Sequence, residues 1–242
     1  MDTTTHTVRA FDDDLRFLSS RIATMGGQAE RMVAEAVQAL VNADTELAEQ
    51  VIASDAILDE RQREIDEKAL SVIARRQPLA QDLREIIGAI RISADLERVG
   101  DLGKNIAKRV VAATEAGRPV RLFRGLEALA ELSLAQLKEI LDAYGSRSID
   151  RIDHVRNGDE QIDAMYTSLF RELLTYMMED PRNISPCTHL LFCAKNIERI
   201  GDHATNIAEA LYYIVTGEQI PFERRKEDNS HTIAVTTSGT SQ

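Results

Sequence analysis

A chain that carries one eleven-residue segment twice can fold in few ways, because both copies must find the same surroundings. Here Glu97-Arg98-Val99-Gly100-Asp101-Leu102-Gly103-Lys104-Asn105-Ile106-Ala107 returns as Glu198-Arg199-Ile200-Gly201-Asp202-His203-Ala204-Thr205-Asn206-Ile207-Ala208, with seven of eleven positions identical. The offset is 101 residues in a chain of 242, which suits two halves of small-domain size. A shared helical core accounts for the recurring Ile and Ala. It does not account for Glu, Gly, Asp and Asn returning at the same places. The repeat therefore indicates a duplicated fold in which each half carries the same acidic site.

Apolar spacing gives the elements. Phe11, Leu15, Leu18, Ile22, Met25, Ala29, Met32, Ala36 and Ala39 recur four and three residues apart, the seam of a long helix packed on other helices. Asp44-Thr45-Glu46 reads as a new helix start with acids in the first turn. Leu47, Val51, Leu58, Ile65, Ala69 and Val72 then share a face, and Gln77-Pro78 ends this second helix, since a residue before proline is pushed out of helical geometry. A third helix is expected from Leu79 to Ala116, closed by Gly117 with Pro119 beyond. The plan repeats, with a fourth helix over Leu122–Tyr144 capped at Gly145-Ser146, a fifth over Ser148–Glu179 ended by Asp180-Pro181, and a sixth over Ser185–Thr216 stopped by Gly217. The expected fold is all-α: two tandem, structurally similar antiparallel three-helix bundles, over residues 8–117 and 118–220. Residues 221–242 are polar and aperiodic and are expected to be a disordered tail.

The formal net charge is −11, and two segments carry that excess: Asp44–Lys68 with nine acids and three bases, and Ser148–Asp180 with eight acids and three bases. Such surfaces disfavour a phosphate backbone, so no nucleic-acid partner is expected. They suit cations or basic protein patches. Cys187 and Cys193 have neither zinc-type spacing nor a disulfide framework around them, and are expected to be buried free thiols. No apolar run approaches the length of a membrane span and the start of the chain lacks a signal-like apolar segment, so a cytoplasmic protein without membrane insertion is expected.

The acids form a repeated constellation. Glu97/Asp101 and Glu198/Asp202 are i, i+4 pairs and therefore share a helix face. The apolar stripe Ile92, Leu96, Val99, Ile106 and Val110 points roughly the other way, so the acids are expected on open faces. A second i, i+4 pair lies on the preceding helix of each half, Asp55/Asp59 and Asp159/Asp163. With those helices as antiparallel neighbours, each half gathers four carboxylates, hard oxygen ligands for Mg²⁺, Mn²⁺, Ca²⁺ or iron. Like charges so close repel unless a cation neutralises them. Gly100 and Gly201 add weight, because a mid-helix glycine costs about 1 kcal/mol relative to alanine, so its return in both copies implies close approach to the backbone. His203 faces Leu102 in the other copy and is read as incidental. The chain shows no nucleophile–base arrangement, and no catalytic residue is assigned.

These features resemble the PhoU family of phosphate-transport regulators. The resemblance runs from about Thr7 to Pro221 and rests on Phe11-Asp12-x-x-Leu15 with Met25-Gly26, on Asp82-Leu83-Arg84, and on both copies of Glu-Arg-x-Gly-Asp-x-x-x-Asn-Ile-Ala. The family's acidic motif maps onto Glu97/Asp101 and Glu198/Asp202, with companion pairs at Asp55/Asp59 and Asp159/Asp163. The resemblance implies a cytoplasmic, usually homodimeric adaptor without enzymatic activity. Such an adaptor links the ATPase of a phosphate ABC transporter to a phosphate-sensing histidine kinase, as a negative regulator of uptake and of the starvation response. It also implies metal ions on the acidic motifs, Mg, Mn, Fe or Zn. Two alternatives read from the residues are a metal-dependent hydrolase with carboxylate-bound ions and a purely structural helical scaffold.

Overall fold

The computed structural model describes residues 3–115 and 123–220, with side chains over 11–113 and 124–220. Among the described residues there are six α-helices and no strand: α1 (Thr3–Asn42), α2 (Thr45–Arg76), α3 (Ala80–Glu115), α4 (Phe123–Ser146), α5 (Ile152–Glu179) and α6 (Ile184–Thr216). A 3-10 turn at Pro181–Asn183 links α5 to α6. The helices α1, α2 and α3 form one antiparallel bundle and α4, α5 and α6 the other, as the apolar phases require. The expected boundary near residue 117 and the tail 221–242 lie outside the described residues.

The seam of α1 is inside, with Leu18, Ile22, Met25, Ala29, Met32, Ala36 and Ala39 almost free of solvent contact. On α3 the stripe Ile92, Leu96, Val99, Ile106 and Val110 is equally buried. The two bundles do not stand apart. Their cores are continuous, because α3 lies antiparallel along α6 and α1 touches α4. Gly88 of α3 leaves room for Ile214 of α6, and Gly26 of α1 for Leu141 of α4. The acidic helices α2 and α5 occupy the outer flanks, packed chiefly within their own bundles. Cys187 and Cys193 are buried free thiols, and burial pushes the Cys193 thiol up to about 12.

Most helix ends fall where local chemistry places them. Asp44 caps α2 by accepting from the Leu47 amide at 3.0 Å. Gln77 closes the same helix in the left-handed region at φ 48°, and Gly217 closes α6 at φ 79°. One end departs from expectation. The fourth helix runs through Gly145 to Ser146, and the left-handed residue that ends it is Arg147 at φ 53°. Tertiary contacts hold Arg147 there: its guanidinium donates to Glu85 of α3 at 2.6 Å and to Ser19 of α1 at 3.1 Å, and lies over the Tyr144 ring. The fifth helix also begins later than expected, at Ile152, because Ser148 and Asp150 bond to each other in the turn.

The repeated glycine has a definite task. A Cβ on Gly100 would collide with the fully buried Leu58 of α2. On Gly201 it would lie 3.0 Å from Ile162 Cδ1 and 3.3 Å from Asp159 Oδ1 of α5. The glycine thus sets how closely α2 approaches α3, and α5 approaches α6. Gly100→Ala should lower unfolding free energy by about 1–3 kcal/mol through overpacking, despite alanine's better helix propensity. By contrast a Cβ on Gly27 meets nothing within 4 Å, so Gly27→Ala should stabilise by up to about 1 kcal/mol. Urea titrations of the two variants check both signs.

Candidate functional site

The close approach at the two glycines brings the acidic pairs of neighbouring helices together, and the two halves then diverge. In the first half Asp55 and Asp59 of α2 face Glu97 and Asp101 of α3. The Lys104 ammonium sits between the helices, donating to Asp55 Oδ2 at 2.6 Å and to Asp101 Oδ1 at 2.5 Å. Arg98 reaches Asp101 at 3.2 Å and Glu97 at 3.5 Å. Burial works to raise the Asp101 carboxyl, but the hydrogen bond and charge of Lys104, with Arg98, outweigh it and hold Asp101 below the usual range. Glu97 moves the other way: burial raises it, and the negative charges of Asp101 and Asp59 add to the effect. Burial would lower the Lys104 ammonium, yet its two carboxylate partners prevail and raise it well above the ordinary lysine value.

The second half has no lysine at the corresponding place, because the repeat puts Thr205 where the first half has Lys104. The Thr205 hydroxyl donates to the Gly201 carbonyl at 3.2 Å. Lys195, from an earlier turn of α6, reaches Glu198 Oε1 at 2.9 Å. Asp159, Asp163 and Glu198 are only 5, 4 and 3 % exposed. The expectation of open helix faces is therefore corrected here: three of the four acids lie inside the bundle, since the notch at Gly201 draws α5 close enough to cover them. Burial raises the Glu198 carboxyl, against the opposing pull of Lys195 and with help from Asp202 and Asp163.

A residue outside the acidic pairs completes this cluster. Gln136 of α4 is 5 % exposed, and its amide donates to the Val155 carbonyl at 2.6 Å and, more weakly, to Thr205 Oγ1 at 3.4 Å. Its Oε1 points at the Gly201 notch, 3.0 Å from where a Cβ would stand. Both Gln136 Oε1 and Glu198 Oε2 are buried without a hydrogen-bond partner, a condition that costs on the order of 1–3 kcal/mol per group unless something answers it. In the first half the side chain nearest the notch from that direction is the apolar Met32. An amide among the buried apolar Leu129, Ala130, Leu137 and Ile140 was the sequence signal for Gln136.

The residues present fit a cation unequally. As the side chains stand, no three Asp, Glu, His or Cys groups among the described residues converge at metal-ligand spacing. In the first half an ammonium already lies between Asp55 and Asp101. In the second, two buried acceptor oxygens lack partners beside Asp159, an all-oxygen donor set suited to hard cations. His203 belongs to neither cluster. Its Nδ1 lies 2.8 Å from Asp95 Oδ1, and Asn206 donates to the same oxygen at 3.2 Å, so these residues tie α6 to α3.

The comparison with known proteins follows the duplication. The PhoU domain family model matches the chain twice, over residues 22–110 and 126–211. The chain belongs to the PhoU family. A Rhizobium meliloti relative, described as a phosphate-specific transport system accessory protein PhoU homolog, is 64 % identical over 232 residues, covering 96 % of this chain and 98 % of that protein. A Caulobacter vibrioides relative with the same description is 48 % identical over 225 residues, covering 93 % of this chain and 98 % of its own length. The crystal structure of PhoU from Pseudomonas aeruginosa aligns with a TM-score of 0.83 at 39 % identity, covering 86 % of this chain and all of that one. PhoU from Streptococcus pneumoniae, described as a phosphate transport system regulatory protein, aligns at 0.81 with 30 % identity, over 88 % of this chain and all of the other. These matches extend over both halves of the chain.

The buried glutamate has a consequence for pH. A carboxyl whose folded value lies above its unfolded value binds protons more readily in the native state, so in metal-free buffer stability should rise as pH falls from neutral toward the raised Glu198 range. Glu198→Gln, which mimics the protonated form, should flatten that dependence and stabilise the metal-free protein at neutral pH. Thermal melts of both proteins from about pH 5 to about pH 8, a range that starts just above the ordinary glutamate value, read the difference directly.

Proposed function

We propose that this chain is an accessory regulator of phosphate-specific transport, acting through contacts with other proteins, with cations held in its acidic clusters. The observation that carries the reading is the whole-length match to relatives so described, extending over both halves of the duplication. In this reading the chain lies between the transporter's ATPase and a phosphate-sensing histidine kinase, in the cytoplasm and as a homodimer, and limits uptake when phosphate is plentiful. No described helix is long and apolar enough to cross a membrane, which suits attachment to a transporter by docking. The flanking helices supply faces for that docking: Glu46, Glu49, Glu60 and Glu67 on α2 and Asp153, Glu160, Glu172 and Glu179 on α5 are exposed. Basic patches on a partner would complement them, and association would weaken as salt rises.

The cation reading assigns Asp159, Asp163, Glu198 and Asp202, with Gln136, to the stronger site. Asp55, Asp59, Glu97 and Asp101 form a weaker one, in which Lys104 competes. The all-oxygen donors favour Mg²⁺, Mn²⁺ or iron over zinc. A bound cation would neutralise the buried carboxylates and brace α5 against α6. Calorimetric titration with Mn²⁺ should show the principal site lost in Glu198→Gln, while Lys104→Met should add a site or tighten the weaker one. Unchanged stoichiometry in both variants would reject the assignment.

The regulatory role is tested in cells. Deleting the gene should switch on phosphate-starvation genes, or deregulate phosphate uptake, while phosphate is ample. A deletion strain that regulates and transports phosphate normally would rule the role out.

A further inference from the structure

The 101-residue repeat relates the two ends of the α3–α6 seam, and the ends have diverged in charge. At one end Asp95 is held by His203 and Asn206, with Glu209 nearby in the same groove. At the other end the repeat puts Asn196 in place of Asp95, Asn105 in place of Asn206, and Lys108 in place of Glu209. Asn105, Lys108, Arg109, Phe192 and Asn196 line a cleft there of about 360 Å³. No carboxylate is among them, in a chain with 40 acids and 29 Lys and Arg.

The Arg109 guanidinium lies 4.4 Å over the Phe192 ring. Stacking occupies its planar face and leaves the N–H edges free to donate. Phe192 is 49 % exposed, although it is a large apolar side chain on a packed helix. Neither Lys108 nor Arg109 is ion-paired to another described residue. A pair of scattered surface cations would simply be solvated. This pair is instead set in a concave cleft beside two amides, one cation oriented by an aromatic ring. A carboxylate brings one charge and two oxygens, fewer than two cations and two amides can satisfy. A tetrahedral dianion matches them in charge and in acceptor number.

We propose that the cleft formed by Asn105, Lys108, Arg109, Phe192 and Asn196 is an oxyanion site of the phosphate class, taking either free phosphate or the phosphoryl group of a monoester. The inference uses only the chemistry of the cleft and is independent of the accessory role and of the cation sites. The test is calorimetry on the full chain at low ionic strength, after divalent metals have been removed, with inorganic phosphate and phenyl phosphate as separate probes. Saturable binding of at least one probe is expected. Arg109→Gln should weaken it by at least about ten-fold, as loss of a charge-assisted pair does, and Lys108→Gln, at an exposed position, should weaken it in the same direction. Arg91→Gln is the control, because that arginine also lies over an aromatic ring, Tyr213, but in the groove that holds Asp95 and Glu209; it should leave affinity unchanged. Equal affinity for the two probes assigns the site to free phosphate, and preference for phenyl phosphate assigns it to a monoester. The proposal is overturned if neither probe binds at millimolar concentration. It is equally overturned if binding survives in the folded Lys108→Gln and Arg109→Gln proteins, or if Arg91→Gln abolishes it.

Discussion

Two helices can bring their carboxylates together only if their backbones come close, and in this fold a single glycine on each central helix permits that. Gly100 accepts Leu58 against its bare Cα, and Gly201 accepts Ile162 with Asp159 beside it. The consequence is a concentration of negative charge in a half-buried or buried place, where water screens it poorly. Each half must answer that charge. The first does so from within, with Lys104 between Asp55 and Asp101. The second retains a buried Glu198 with one oxygen unpartnered and an amide oxygen of Gln136 in the same state. Duplication thus kept the geometry and let the charge balance diverge.

The seam between α3 and α6 is the other consequence of duplication. Because the helices run antiparallel, equivalent residues meet at opposite ends, and changes in one copy alter only one end. One end became a lock, in which Asp95 holds His203 and Asn206. The other became a cationic cleft with Arg109 over Phe192. Further ties, Gly88 to Ile214 and Arg147 to Glu85, join the halves into one continuous core. The acidic helices α2 and α5 are left at the flanks, where their charged faces remain open.

Much of this was legible in the chain. The repeat announced the duplication, the spacing of apolar residues gave the phase of the first three helices, and Asp44, Gln77, Asp180 and Gly217 marked helix ends because capping is local chemistry. Gly100 and Gly201 announced a close approach, although not that Leu58 and Ile162 were what approached. Lys104 and Thr205, which differ within the repeat, already held the asymmetry of the two clusters. Gly145 misled, because a residue fit to end a helix does so only where nothing else holds the chain, and the contacts of Arg147 moved the end two residues on.

By itself the sequence determined that the protein is helical and duplicated, with acids placed at i, i+4 on two helices of each half, since those properties depend on neighbours along the chain. Only the tertiary structure decided which acids would be buried, that Lys104 would lie between Asp55 and Asp101 in one cluster, and that Gln136 would enter the other. It also decided that Asn196 and Arg109 would share a cleft. Each of these depends on the distance and rotation between helices, which packing sets and which no spacing along a single helix encodes.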